Sequence, residues 1–416
     1  MFKFYFGILV IFFNNLTFSV SVQVSVSGLP TDGYLNILDS SGNFGFLNIN
    51  SNNTYTMPNS FKDNKNHLFN IKIENYGYNN LTVPIPRFHA NSWGDNSGDA
   101  YIFGGQDSSN YLNDFWYWSN SNKKFTRILP ALTCNITKNK SGSVFLSNII
   151  VTINCDIGIW PSSRSSSTTW KDSNGNLYMF GGDYKVFWNY FTNDLWKWNG
   201  NIWTLIETPT SITARALAQI WYISDKEIYL FSGLTEDWPL DQDFWKWDGS
   251  DWVSVPVDSG MQGRLAAVTW KDSNNIYMYG GWSPWAKSRI IRPTDLWIYN
   301  FTTKIFTNIN TIPNNPEVTF LSQKITDNCT NPYFYLPPKA NLTNILTWDT
   351  VAKNWVNFAT NVPNKIFAGA SAWCDSSGNL YMFAGEDLGY NVYNQVLKFN
   401  KADNTWDTIF DPSSIN

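Results

Sequence analysis

The sequence predicts an all-β fold in which short four-stranded sheets repeat and close on one another, and three observations predict it. Aromatic runs ending at a glycine pair recur as Tyr101 to Gly105, Leu177 to Gly182, Ile228 to Gly233, Ile276 to Gly281 and Leu380 to Gly385, with a degenerate copy, Tyr333 to Pro338, that has lost its glycines. A second aromatic run comes after each of them, and the repeat is about 50 residues long, the length of one sheet unit that cannot bury both its faces without neighbours. Aromatic residues make up 17% of the 416-residue chain, ample material for such cores. The expected architecture is a propeller of blades.

Composition narrows the remaining classes. A net charge of −4 and the absence of any Lys/Arg run argue against nucleic acid or an anionic membrane as partner. The segment from Met1 to Phe13 places Lys3 before an apolar run and is succeeded by small residues at Ser19 and Ser21, the pattern of a signal peptide over 1–21. No run is long enough for a membrane span. A secreted, extracellular protein is expected, and the four cysteines suit an oxidising compartment. Cys134 and Cys155 flank an extra strand-like segment and are expected to bridge it; Cys329 and Cys374 fall near equivalent turns of adjacent repeats and are expected to staple them. Sequons at Asn52, Asn80, Asn135, Asn139, Asn300, Asn328 and Asn341 are compatible with a secreted glycoprotein.

Residues 22–84 lack the repeat. Short apolar runs (YLNIL, FGFLNI, TYTM, LFNIKI, LTV) alternate with Gly, Asn and Ser turns and predict a small N-terminal β-sandwich-like domain. Val83-Pro84-Ile85-Pro86 is a stiff joint between that domain and the repeat region.

The repeat region, 87–411, divides into units at about 87–130, 164–207, 215–256, 264–310, 318–359 and 366–410, with an insert at 131–160. Strand one of the first four units starts at an arginine and reaches a tryptophan six residues on: Arg87 and Trp93, Arg164 and Trp170, Arg215 and Trp221, Arg264 and Trp270. A turn rich in Asn and Gly leads into the strand that ends at the glycine pair. After a variable loop, strand three carries Phe115-Trp116-Tyr117-Trp118, Leu195-Trp196-Lys197-Trp198, Phe244-Trp245-Lys246-Trp247 or Leu296-Trp297-Ile298-Tyr299, with weaker copies around Trp348 and Phe399; strand four opens on Phe125, Trp203, Trp252, Phe306, Trp355 or Trp406. Period-two alternation puts the two strand-three aromatics on one face.

The diglycine, the aromatic after the variable loop and the final tryptophan resemble the kelch family of β-propellers over about four-fifths of the chain. The resemblance implies six blades of four antiparallel strands around a central channel. Ser232-Gly233, Ala384-Gly385 and above all Leu336-Pro337-Pro338 depart from the pattern, so the fifth blade is the weakest. Ring closure by a swapped strand is neither required nor excluded by the strand count.

Several chemistries lose their residues at once. Kelch-type copper oxidases bind metal through histidines, and this chain has only His67 and His89, which also leaves no basis for a histidine triad. Asp172 to Asn176, echoed at Asp272 to Asn275 and Asp375 to Asn379, begins like a calcium loop but lacks the closing bidentate acid, so turn chemistry explains it. No cofactor is expected.

The arginines at the strand-one starts should gather at the mouth of the channel on the face that carries the variable loops. Guanidinium groups there can grip carboxylates bidentately, and the resemblance implies the same, because kelch proteins that capture acidic peptides line their pocket this way. The expected binding residues are Arg87, Arg164, Arg215 and Arg264, with Trp282, Trp285 and Arg289 of the loop after the fourth glycine pair, and Trp238, which has acids beside it. The competing reading pairs each arginine with neighbouring carbonyls or with Asp114, Asp194, Asp243 or Asp295. The favoured function is non-enzymatic binding of a protein or glycan, an acidic one fitting best. Two alternatives stand beside it: a sugar-active enzyme of the sialate mutarotase or epimerase kind, needing an arginine and an acid in one cavity, and a purely structural extracellular protein. Oligomeric state is left open.

Overall fold

The computed structural model describes residues 81–130, 132–141, 148–184, 190–210, 212–236, 242–257, 260–286, 289–291, 293–309, 332–339, 342–359, 369–387 and 389–414, with 324–325 and 329, and, nearer the N-terminus, the segments 8–11, 20–27, 34–39, 47–49, 54–56 and 67–74. The chain forms two compact units, one of residues 1–81, 129–160 and 201–203 and the other of 82–128, 161–200 and 204–416. No helix among the described residues is long and apolar enough to cross a membrane.

The first unit holds two four-stranded sheets. In one, Ile8–Ile11 pairs with His67–Glu74, which pairs with Tyr34–Asp39 and, through it, Leu47–Ile49. In the other, the hairpin Leu132–Ser141 and Asn148–Ile157 lies beside Val20–Ser27, which it meets in parallel, and Thr54–Thr56 completes the sheet. The 131–160 segment, which the chain carries between the first and second repeats, belongs to this unit. Its strands complete a sheet begun by Val20–Ser27 and Thr54–Thr56, far earlier in the chain. Cys134 and Cys155 face each other directly in the hairpin register.

The second unit is a β-propeller. Five of its blades are four-stranded antiparallel meanders whose strands run consecutively, as in the first blade, Asn91–Gly94, Ala100–Phe103, Phe115–Ser119 and Lys124–Ile128. The second to fourth blades begin at Thr168, Gln219 and Val268, and the C-terminal blade spans Ser371 to Phe410. Strand one is buried and strand four largely exposed, so each blade runs outward from the axis. A further meander, Lys324–Ile325, Tyr333–Lys339, Leu342–Asp349 and Asn354–Ala359, has the same strand order with its first strand cut to two residues.

Aromatic rings fill the space between sheets. The strand-four aromatic packs on its own strand-three ring and on the preceding sheet: Phe125 lies 4.9 Å from Trp118 and 5.0 Å from Phe383 of the C-terminal blade, Phe306 4.7 Å from Tyr299 and 5.1 Å from Phe244, and Trp355 5.3 Å from Trp348 and 4.9 Å from Tyr279. Ring pairs at these separations add about 1 kcal/mol each to their area burial. In two blades the tryptophan six residues after the arginine serves as a strut. Trp93 donates its indole N–H to the carbonyls of Trp170 and Tyr178, and Trp221 to that of Tyr277, each on the next blade.

The same strut closes the ring. Trp373 of the C-terminal blade donates to the Gly98 carbonyl of the first at 2.9 Å, and Gly385 N–H donates to the Arg87 carbonyl at 2.7 Å. Closure is by contact between whole blades, with no strand exchanged between them.

The glycine pairs exist because of blade contact. The first glycine of the first two pairs has φ of 63° and 66°, and a Cβ placed on Gly104 or Gly181 would lie 2.5 or 2.4 Å from the carbonyl oxygen of Arg164 or Arg215 on the following blade. The second glycine donates its N–H to that same carbonyl. Where the pair is broken, Ser232 and Ala384 still hold positive φ, at a cost of order 1 kcal/mol each. Ser232 compensates by accepting the Arg264 N–H on its hydroxyl.

Cys329 and Cys374 form the expected disulfide, joining the 324–359 sheet to the C-terminal blade across a separation of 45 residues. Closing a loop of that size stabilises by about 4 kcal/mol in the chain-entropy treatment. Replacing both cysteines with serine should therefore lower the propeller's urea midpoint by the equivalent of about 2–4 kcal/mol, read as loss of near-ultraviolet tryptophan dichroism; an unchanged midpoint would show that this junction holds without the staple.

Candidate functional site

Each of the four arginines lies four residues ahead of strand one, where its backbone meets the preceding blade. Arg164 N–H donates to the Leu112 carbonyl, Arg215 N–H to that of Thr192 and Arg87 N–H to that of Tyr393. The side chain turns the other way, into its own blade. Arg87 binds Asp114 with both terminal nitrogens at 2.6 and 2.7 Å, Arg164 binds Asp194 at 2.6 and 2.7 Å, Arg215 binds Asp243 at 2.7 and 2.6 Å, and Arg264 binds Asp295 at 2.7 and 3.1 Å. Nη1 also reaches the carbonyl of the first residue of the glycine pair (Gly104, Gly181, Ser232, Gly280), and Nε the carbonyl two residues upstream (Ile85, Ser162, Thr213, Gln262). The tryptophan two positions beyond each aspartate caps its outer oxygen: Trp116, Trp196, Trp245 and Trp297 donate at 2.5–2.6 Å.

This geometry overturns the expected binding role of the arginines. All four are at most 1% exposed, and their guanidiniums are committed to a clasp between strands one and three. Pairing with the aspartates is what the structure adopts.

Burial by itself would raise the Asp114 carboxyl, but the charge and hydrogen bonds of Arg87 and the Trp116 N–H outweigh it and hold the group below the usual carboxylate range. Asp194 and Asp295 are lowered by the same balance, with Arg164 and Arg264 as their partners.

A collar of left-handed residues lies two positions after each arginine. His89, Ser166, Leu217 and Ala266 have φ of 52–55° and are joined in series, Ser166 N–H to the His89 carbonyl at 3.0 Å, Leu217 to Ser166 at 2.9 Å and Ala266 to Leu217 at 3.5 Å. Gly369, φ 65°, takes the matching place in the C-terminal blade and accepts the His89 N–H at 2.6 Å.

The residue after each glycine pair, Gln106, Asp183, Leu234, Trp282 or Glu386, is bridged to another residue of its blade, the first four to Phe88, Ser165, Ala216 and Leu265 and the last to Val392. Two of these are apolar, with Leu234, Leu265, Ala216 and Trp282 in one cluster. The other three are polar. Asp183 accepts from the Ser165 hydroxyl at 2.6 Å and the Tyr111 hydroxyl at 2.8 Å, while Ser165 meets Ser166, and Ser166 meets His89 Nδ1 at 3.4 Å. Burial lowers the His89 pKa although Asp183 pulls it upward, so the imidazole is neutral at pH 7. Where a basic mouth was expected, the described residues supply carboxylates.

Of the aromatic-loop residues, Trp282 sits half-buried at this position; Trp285 and Arg289 lie on the small hairpin Ser283–Ala286 and Arg289–Ile291; Trp238 lies outside the described residues. Among the sequons, Asn300 caps a turn, accepting from the Thr302 and Thr303 N–H groups and donating to Asn275 Oδ1. Asn135 and Asn139 lie on strand Leu132–Ser141, and Asn52, Asn80, Asn328 and Asn341 fall outside the described residues.

Two further loops carry exposed tyrosines, the first of them the aromatic stretch Tyr184 to Phe191 that the sequence marks for recognition. Tyr184 and Tyr190 pair at 5.8 Å at the base of the second-blade loop. Tyr390 stands 82% exposed with φ 61° on the C-terminal blade's loop. That loop is pinned by Asp387, which accepts from the N–H groups of Gly389 and Asn391, the Asn391 amide and the Tyr393 hydroxyl; burial opposes, yet these donors bring its pKa down to about 2. The spacing of Asp387, Gly389 and Asn391 in an Asx-type turn was the available signal.

Compared with known proteins, the chain matches no family model and no curated protein.

The clasps have two measurable consequences. Arg87→Ala leaves Asp114 buried without the guanidinium that clasps it and should cost about 3–5 kcal/mol in urea unfolding, with Arg87→Lys recovering only part because an ammonium cannot span both oxygens; a loss below about 1 kcal/mol would mean the pair is effectively solvated. The lowered aspartates give the sign of the pH dependence. Their contribution is complete above the ordinary carboxylate pKa of about 4 and is lost as pH falls through the lower folded values. The urea midpoint should decline gently below about pH 6.5, where the unfolded chain takes up a proton on His89 that burial resists in the folded one, and fall steeply below about pH 4 as the aspartates protonate, and Asp114→Asn should flatten the steep part.

Proposed function

We propose that this chain is a secreted, six-bladed kelch-type propeller whose loop face captures a protein partner, with a β-sandwich-like unit formed by its N-terminal strands and the 132–157 hairpin. The 324–359 meander is the remaining blade in this reading. Support comes from its strand order, from Trp348 and Trp355 packing 5.7 and 5.6 Å from Trp270 of the fourth blade, and from Phe358 packing 5.2 Å from Phe399 of the C-terminal blade. Secretion is supported by the Cys329–Cys374 disulfide, by the facing Cys134 and Cys155, and by the leading apolar run. Removal of residues 1–21 would take the edge strand Ile8–Ile11 from its sheet and leave the other three strands paired. Glycans at the sequons belong to the same reading.

The observation that carries the binding role is the placement of exposed tyrosines. Tyr184, Tyr190 and Tyr390 all lie on loops between strands two and three, and Tyr390, held at positive φ by its turn, leaves 82% of its surface exposed. Tyrosine offers large contact area at small entropic cost, and such residues dominate binding energy. A glycan stacked on the same rings is the second ligand class.

Full-length protein immobilised in medium from the producing cells should retain a partner identifiable by mass spectrometry. The Tyr184→Ala, Tyr190→Ala, Tyr390→Ala triple variant should retain roughly tenfold less, since hot-spot truncations cost about 2 kcal/mol or more, with its melting temperature unchanged. Equal retention by the variant would remove the loop face as the binding surface.

A further inference from the structure

An edge strand exposes an unpaired row of backbone N–H and C=O groups, and folded proteins keep such strands short, charged, bulged or covered. Every edge strand among the described residues has six residues or fewer, with one exception. Leu132–Ser141 runs for ten, pairs with Asn148–Ile157 at all ten positions without a register shift, and has no strand on its other side among the described residues. It contains no proline, and its only charges, Lys138 and Lys140, sit in its last four residues. Two of the chain's seven Asn-x-Ser/Thr sequons, Asn135-Ile136-Thr137 and Asn139-Lys140-Ser141, lie inside this strand. They are four positions apart, so the period-two alternation puts both asparagines at positions of one face. The register says which face that is. Asn135 is level with Asn154 and Ser25, and Asn139 with Ile150 and Ser21; on the other face Ile136 is level with Ile153 and Val24. The sequons thus take the more polar of the two faces.

We propose that Asn135 and Asn139 carry N-glycans whose task is to cover this edge, and that without them the edge pairs antiparallel with the same edge of a second copy of this chain. The proposal rests on the secretion reading above and assigns the work of two of its glycans. A second copy is the occupant because a strand presented to its own equivalent about a two-fold axis meets the same ten-residue row in antiparallel, the closed arrangement that would join two four-stranded sheets into one. A branched sugar attached beside that row is a bulk that an approaching strand, which must come to about 4.8 Å, cannot clear. The transfer forms a bond between asparagine Nδ2 and the anomeric carbon of a lipid-pyrophosphate-linked oligosaccharide of the secretory route; the bond from that carbon to the pyrophosphate oxygen breaks, and one amide proton leaves. Every other means of blunting an edge is missing from Leu132 to Thr137, which is long, regular and uncharged.

The test uses the full chain secreted from cultured eukaryotic cells. Peptide mass spectrometry after enzymatic deglycosylation in oxygen-18 water should show both Asn135 and Asn139 converted to labelled aspartate. Two variants lose both sequons by different routes, Asn135→Gln with Asn139→Gln, and Thr137→Ala with Ser141→Ala. Both should sediment at about twice the wild-type mass, and hydrogen exchange over residues 132–141 should slow about tenfold or more as the outward amides become paired. Asn300→Gln, which removes a sequon at a turn, should sediment as the wild type does. A bare Asn135 or Asn139 in protein glycosylated at other sequons, a monomeric state of both double variants, or association without added protection over 132–141 would each overturn the proposal and leave the secretion reading standing. Absence of glycan from every sequon, or failure of the wild-type chain to leave the cell, would sink both.

Discussion

The pair of a buried arginine just ahead of strand one with an aspartate at the start of strand three is the interaction on which the propeller's inner wall depends. It ties the innermost strand to the third across the second, and the arginine's backbone simultaneously bonds the preceding blade. One residue thus fixes both the geometry inside a blade and the spacing between blades. Buried ion pairs are expensive to desolvate and gain little net stability over apolar packing, but removing one partner is severe. What they provide here is direction: a bidentate fork with carbonyl acceptors at its other donors admits one arrangement.

The two sheets without this clasp are held differently. The C-terminal blade has Gln395 and Leu397 where the first four have aspartate and tryptophan, and the 324–359 sheet has Asn344 and Leu346. At that part of the ring the structure places its disulfide, an aromatic contact between Phe358 and Phe399, and the Trp373 strut onto Gly98. A covalent staple and apolar contacts thus occupy the sector that lacks ion pairs.

Strand one, the glycine pairs and the aromatic ladders were legible because they are periodic and their physics is local: alternation, positive φ, ring packing. The destination of the arginines was harder to read because an arginine at a strand start can face the channel or its own blade, and a chain step of about 3.6 Å does not decide between them. A clue was nonetheless present. Arginine, aspartate and the tryptophan two residues beyond occur together in four repeats and are all missing from the other two, which is the signature of partners rather than of ligands. The hairpin Leu132–Ser141 and Asn148–Ile157 could not be placed, since its pairing with Val20–Ser27 is parallel and non-local and neither strand encodes its partner. The mouth was misjudged for the same reason as the arginines: the guanidiniums are withdrawn into the walls.

The account's central claim is that these four guanidiniums are internal. Amide-type exchange of arginine Nε–H groups, monitored by nitrogen-15 NMR after transfer to deuterated buffer, measures it directly. Internal clasps predict four arginine Nε–H signals, removed one at a time by substitution of Arg87, Arg164, Arg215 and Arg264, that persist long after the exposed arginine signals have vanished. Loss of all arginine signals at the rate of a solvated side chain would contradict the account and return the guanidiniums to the channel mouth.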